Sequence, residues 1–91
     1  MADTASVTVE FYGIPRQRAG RAELVVAAGT VADVLEAVES QCAGLAGLCV
    51  SRGRLAPQYL MSIDGRRFAA GPDDRLQPGQ RLLLLSADAG G

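Results

Sequence analysis

Lysine and histidine are absent from this 91-residue chain, and all nine basic residues are arginine. Without histidine, the commonest general base and metal ligand is missing. Without lysine, no side-chain amine can receive an acyl group. Cysteine is scarce too: Cys42 and Cys49 are the only thiols. They make no C-x-x-C pair, and no histidine completes a zinc site. Cys42 falls on the apolar side of a predicted helix and reads as a small buried hydrophobe, and a redox pair with Cys49 is disfavoured in a reducing cytosol. No catalytic dyad can be assembled from this inventory. Long apolar runs are also lacking, which excludes a membrane span. Residues 1–5 have neither the basic nor the apolar part of a secretory signal, so a cytoplasmic location is the default expectation. A formal net charge of −1 offers no attraction to nucleic acid or to an anionic membrane.

What is present is a hydrophobic content of 48%, enough for one small core. A single domain over 1–91 is expected, folded over about 6–86 with a tail at 87–91. Ser6 to Tyr12 alternates with period two, placing Val7, Val9 and Phe11 on one face and Thr8, Glu10 and Tyr12 on the other. Gly13-Ile14-Pro15 breaks this strand, and Arg16-Gln17-Arg18-Ala19-Gly20 reads as an exposed loop leading to a second strand, Arg21 to Ala28, with Leu24 and Val26 inward. Thr30 is an N-cap candidate, with Asp33 three residues on as its capping-box partner. Val31, Val34, Leu35, Val38 and Cys42 then make one apolar stripe, opposite Asp33, Glu36, Glu39 and Ser40, and Gly44 is the expected C-cap.

The stretch from Leu45 to Pro57 is the hardest to read. Leu45, Leu48 and Val50 could close the core in a short helical turn, and Ser51-Arg52-Gly53-Arg54 reads as a turn. Tyr59 to Ile63 is a third strand, returning through Arg66-Arg67-Phe68 after the Asp64-Gly65 turn. Two turn clusters surround Leu76. Arg81 to Ser86 closes the fold as a strand apolar enough to lie centrally in a sheet. One helix covering one face of a mixed sheet is an α+β roll, and a central last strand parallel to the first makes it a β-grasp.

Gly90-Gly91 ends the chain, after Ala87-Asp88-Ala89. With 11 glycines in 91 residues, an adjacent terminal pair arises by chance about 1.5% of the time, so the pair alone is weak. After a central strand it acquires meaning. An unhindered carboxylate on a small, extendable lead can enter a narrow active site of another protein. By strand alternation Tyr12, Leu83 and Leu85 point away from the helix and lie side by side if the first and last strands pair. Two readings of this patch stand: a partner-docking surface, or a face covered by the Leu45–Pro57 segment or by a dimer.

In this order and spacing, the residues resemble the ThiS/MoaD family of ubiquitin-like sulfur carriers over essentially the whole length. The resemblance is carried by Val9-Glu10-Phe11-Tyr12-Gly13, Gly29-Thr30-Val31-Ala32-Asp33-Val34-Leu35, Ser62-Ile63-Asp64-Gly65, Leu76-Gln77-Pro78-Gly79-Gln80-Arg81-Leu82 and Gly90-Gly91. It implies a carrier with no bound cofactor and no catalysis of its own. A ThiF/MoeB-like enzyme would use ATP to adenylate the Gly91 carboxylate. A sulfur donor of the cysteine desulfurase or rhodanese type would leave a thiocarboxylate, which a sulfur-accepting synthase would consume. Gly90 and Gly91 would keep the approach free of β-carbons, with Asp88 and Ala89 leading into the partner's site. The resemblance also implies an apolar residue near Arg67, where this chain carries charge. Arg66 and Arg67 either meet an acidic partner or are merely solvated. A small subunit of molybdopterin synthase and a modifier joined through Gly91 to target lysines remain the alternatives, and the sulfur acceptor is left open.

Overall fold

A computed structural model of the chain describes residues 5–47 and 49–86. Five strands form the main sheet: β1 (Ser6–Phe11), β2 (Glu23–Ala27), β6 (Tyr59–Ile63), β7 (Arg67–Phe68) and β9 (Arg81–Ser86). Their spatial order is β2-β1-β9-β6-β7, so the last strand lies at the centre. β9 runs parallel to β1, with Val9 opposite Leu82 and Phe11 opposite Leu84, and antiparallel to β6. The remaining elements are α1 (Ile14–Ala19), β3 (Gly29–Thr30), α2 (Val31–Gln41), β4 (Val50–Ser51), β5 (Arg54–Leu55) and β8 (Arg75–Leu76). This is the expected β-grasp, with α2 on one face of a mixed sheet. No described helix is long and apolar enough to cross a membrane.

Alternation decides what is inside. Val7, Val9, Phe11, Leu24, Val26, Ile63, Leu82 and Leu84 project from one face of the sheet onto Val31, Val34, Leu35 and Val38 of α2. Each large aliphatic side chain removed from water in this way contributes about 1.5–3 kcal/mol. The N-terminus of α2 is fixed by the predicted capping box: the Asp33 amide donates to Thr30 Oγ1 (3.1 Å), and the Thr30 amide donates to Asp33 Oδ2 (3.2 Å). Both cysteines are free and buried, and burial pushes the Cys42 thiol up, away from reactivity.

Three expectations need correction. Arg16–Gly20 is not a loop, because Ile14–Ala19 is a helix. Pro15 sits in the first helical turn, where its lost N–H costs nothing, and its side of the helix is buried. Gly20 closes the helix at φ 73°, in the left-handed region, donating its N–H to the Arg16 carbonyl (3.0 Å). Second, α2 ends at Gln41, with Cys42 as its C-cap, and Gly44 is not the cap. Gly44 is needed for a different reason: a β-carbon there would lie 2.0 Å from the Arg18 carbonyl oxygen, so its bare backbone is what lets this turn press against α1. Third, Leu45 and Val50 are buried as expected, and the Cys49 amide donates to the Leu45 carbonyl (2.9 Å) in one helical turn, but Val50 lies in β4 and not in that turn. β4 and β5 instead make a small hairpin turning at Arg52 (φ 54°) and Gly53 (φ 73°), and it packs on α2. Leu48 lies outside the described residues.

Replacing Gly44 with alanine is expected to destabilise the protein by about 1–3 kcal/mol, the usual cost of overpacking. Gly71→Ala, with open space around it, should stay within about 0.5 kcal/mol. Urea denaturation of the two variants beside the parent chain checks both.

Candidate docking face

The face of the sheet turned away from α2 carries the residues that register places opposite one another there. Glu10 is opposite Leu83, Leu85 is opposite Leu60, and Ser62 is opposite both Leu83 and Phe68. Tyr12 continues β1 by one residue, its amide donating to the Leu84 carbonyl (3.0 Å), which brings it level with the end of β9. The sequence-predicted trio Tyr12, Leu83 and Leu85 is therefore assembled on one surface, and the Leu45–Pro57 segment does not cover it, since its hairpin packs on α2. Leu83 and Leu85 are half-buried, flanked by Tyr12 (41% exposed), Leu60 (38%) and Phe68 (64%).

Leu60 and Phe68 were missed by sequence reasoning, and the turn explains Phe68. A two-residue Asp64-Gly65 turn would pair Ile63 with Arg66 and put Arg67 opposite Ser62, on the outer face. In the structure Asp64 (φ 57°) and Gly65 (φ 69°) make the turn, but Ile63 pairs with Arg67. One extra loop residue exchanges the faces of every residue that follows. Phe68 thus takes the outer position. Arg67 is turned to the other side, where its guanidinium donates to both oxygens of Asp74 (3.0 and 3.4 Å). Asp74 also accepts from the Ala70 amide (3.0 Å), and these contacts hold its carboxyl below the usual carboxylate range. Arg67 anchors the loop that follows β7 and lies away from the outer patch. Leu60 follows from simple alternation along β6 once β9 is paired with it.

Beside the apolar patch runs a polar row. The Tyr12 hydroxyl donates to Glu10, and Arg81 donates to the same carboxylate while lying 3.6 Å from Glu23. The Tyr12 hydrogen bond, with Arg81 adding to it, holds Glu10 below its ordinary value, and the same bond raises the Tyr12 phenol. Among the described residues no cluster of metal-ligating side chains exists. The surface has the make-up of a binding face: an apolar centre, one aromatic with a polar tip, and a charged margin. β9 brings the chain to the edge of this face at Ser86, opposite Tyr59. Asp88, Ala89, Gly90 and Gly91 follow and lie outside the described residues.

Glu10→Gln is expected to return the Tyr12 phenol toward its ordinary titration, seen by ultraviolet absorbance with Tyr12→Phe to separate it from Tyr59. Glu10 is depressed in the folded state, so the stability it contributes is present above its unfolded value and is lost as pH falls through the folded one. The variant should therefore show a shallower loss of stability on the acid side.

No family model matches the chain, and no curated protein matches it in sequence. Solved structures do. The crystal structure of small archaeal modifier protein 1 from Haloferax volcanii is similar at a TM-score of 0.80 and 22% identity, over 94% of this chain and 99% of that one. A chain of the BexX/CysO complex from Amycolatopsis orientalis is similar at 0.76 and 26%, over 93% and 99%. A putative molybdopterin converting factor subunit 1 from Pyrococcus furiosus is similar at 0.68 and 18%, over 90% and 97%. In its fold the chain is a ubiquitin-like β-grasp, similar to these solved structures over nearly its whole length.

Proposed function

We propose that the chain is a sulfur carrier whose Gly91 carboxylate is the reacting group. The observation that carries this reading is the placement of β9: a central strand that ends at Ser86 beside an exposed apolar face, five residues before Gly91 in sequence. A ThiF/MoeB-like partner docks on Tyr12, Leu60, Phe68, Leu83 and Leu85 and receives the Asp88-Ala89-Gly90-Gly91 segment. Arg67, paired with Asp74 on the other side of the sheet, is left out of that contact. In the partner's site a Gly91 carboxylate oxygen attacks the α-phosphorus of ATP, pyrophosphate leaves, and a mixed anhydride with AMP forms. The terminal persulfide sulfur of a cysteine desulfurase or rhodanese type donor then attacks the carbonyl carbon and expels AMP, and a second thiol reduces the resulting acyl disulfide, leaving as a disulfide with the donor cysteine. The product is a thiocarboxylate, which a sulfur-accepting synthase consumes. Activation is needed because a carboxylate oxygen is a poor leaving group and AMP a better one. The catalysis belongs to the partners, and the carrier supplies the docking face and the acyl group.

A second reading shares the first step. The similar Haloferax protein is, by its name, a modifier. Attack on the activated Gly91 by a target lysine in place of sulfur would join this chain to another protein. Lacking lysine, the chain could not be extended through its own side chains. A Gly-Gly remnant on target lysines would favour this reading, and stable co-purification with a large synthase subunit would favour a molybdopterin synthase.

Incubation with a ThiF/MoeB-like enzyme, ATP and a sulfur source should exchange one oxygen for sulfur in the intact mass, and deletion of Gly91 should abolish the exchange. Sulfur gain by the truncated chain would refute the assignment. Phe68→Glu and Leu85→Glu each put a charge into an apolar contact and should weaken binding to the enzyme about tenfold or more, as measured by titration calorimetry. Unchanged affinity in both would remove the face.

A further inference from the structure

The helix that replaces the expected Arg16–Gly20 loop places charge beside the exit of β9. α1 packs against β9, and Tyr12, hydrogen-bonded to the Leu84 carbonyl, leads directly into it. An open groove of about 560 Å³ runs along this side, lined by Gly13, Arg16, Gln17, Gly20, Arg21 and Ala22. Arg16 also lines the shallower adjoining groove with Tyr12, Glu10 and Glu23, so the two surfaces are continuous. Both arginines are exposed and make no ion pair among the described residues, whereas Arg67 and Arg81 are paired with Asp74 and with Glu10 and Glu23. The groove walls are held by Gly20 in its left-handed conformation, by buried Pro15 and by the close approach of Gly44 to Arg18. The acidic residues of α2, Asp33, Glu36 and Glu39, lie on a different element.

We infer that Arg16 and Arg21 form an anion-recognising groove that takes acidic side chains of the enzyme that adenylates the tail. This rests on the carrier reading above. Two guanidinium groups lining one open cleft suit carboxylate, which arginine binds through paired N–H donors. Their position decides the occupant: any protein that seats Tyr12 and Leu85 while receiving the segment beyond Ser86 must also cover this groove. Two cations with no ion-pair partner among the described residues, in a chain of net charge −1, are a local field that steers an acidic surface into register with the apolar face.

The test uses the full chain and the ThiF/MoeB-like enzyme of the sulfur-exchange assay, following ATP–pyrophosphate exchange against carrier concentration and ionic strength. Arg16→Gln combined with Arg21→Gln should raise KM for the carrier about tenfold, leave kcat unchanged, and flatten the salt dependence that the parent chain shows. Arg18→Gln removes a charge outside the groove and should change KM by less than about twofold. Circular dichroism and thermal unfolding establish that the variants are folded. Parental KM and salt dependence in the double variant would overturn the inference. So would an equal effect of Arg18→Gln, or a rise in KM for ATP alone, which would put the nucleotide in the groove. Absence of any exchange with the parent chain would count against the carrier reading itself.

Discussion

Everything in this molecule hangs on the insertion of Arg81–Ser86 between the first strand and the strand Tyr59–Ile63. The Leu82-Leu83-Leu84-Leu85 run would be an aggregation hazard on an edge. At the centre of a sheet its backbone is paired on both sides. Leu82 and Leu84 go to the core, fully buried, while Leu83 and Leu85 go to the opposite face. One strand thus supplies the middle of the core and the middle of the candidate docking face, because a pleated strand has two sides and both are apolar here.

The strand is also held at its beginning. Asp64, in the turn after Tyr59–Ile63, accepts from the Arg81 amide (2.8 Å) and from the Gln80 side chain (3.2 Å), and its own amide donates to the Arg81 carbonyl (2.8 Å). The Gly79 amide donates to the Ser6 carbonyl (2.8 Å). Register is therefore set on both flanks at the first residue, and the position of Ser86 follows. Such fixing suits a protein whose proposed recognition face lies on this strand and whose proposed reacting group lies past it in sequence. The charged groove of Ile14–Ala19 extends that division, since it adds orientation beside the exit without adding a reactive group.

Much of the fold was legible because local patterns and tertiary packing agree. Alternation in Val7, Val9 and Phe11, the Val31–Cys42 stripe and the Thr30–Asp33 capping box each specify one element, and each is found. The helix at Ile14–Ala19 was not legible as such. At six residues it is too short to show an apolar period, and its stability comes from packing. Its signals were Pro15 near the start and Gly20 just past the end. The turn at Arg52-Gly53 was legible, but the two strands it joins were not, because two-residue ladders have no alternation to detect.

By itself, the amino-acid sequence determined the inventory. It offers no histidine and no lysine, a Gly90-Gly91 pair that is the proposed reacting end, and a last strand apolar enough to lie centrally in a sheet. Tertiary structure decided which side chains share the outer surface. One extra residue in the Asp64-Gly65 loop puts Phe68 there in place of Arg67, and a short helix sets Arg16 and Arg21 beside the strand exit. Both outcomes depend on register and on contacts between segments far apart in the chain, and no local periodicity encodes either.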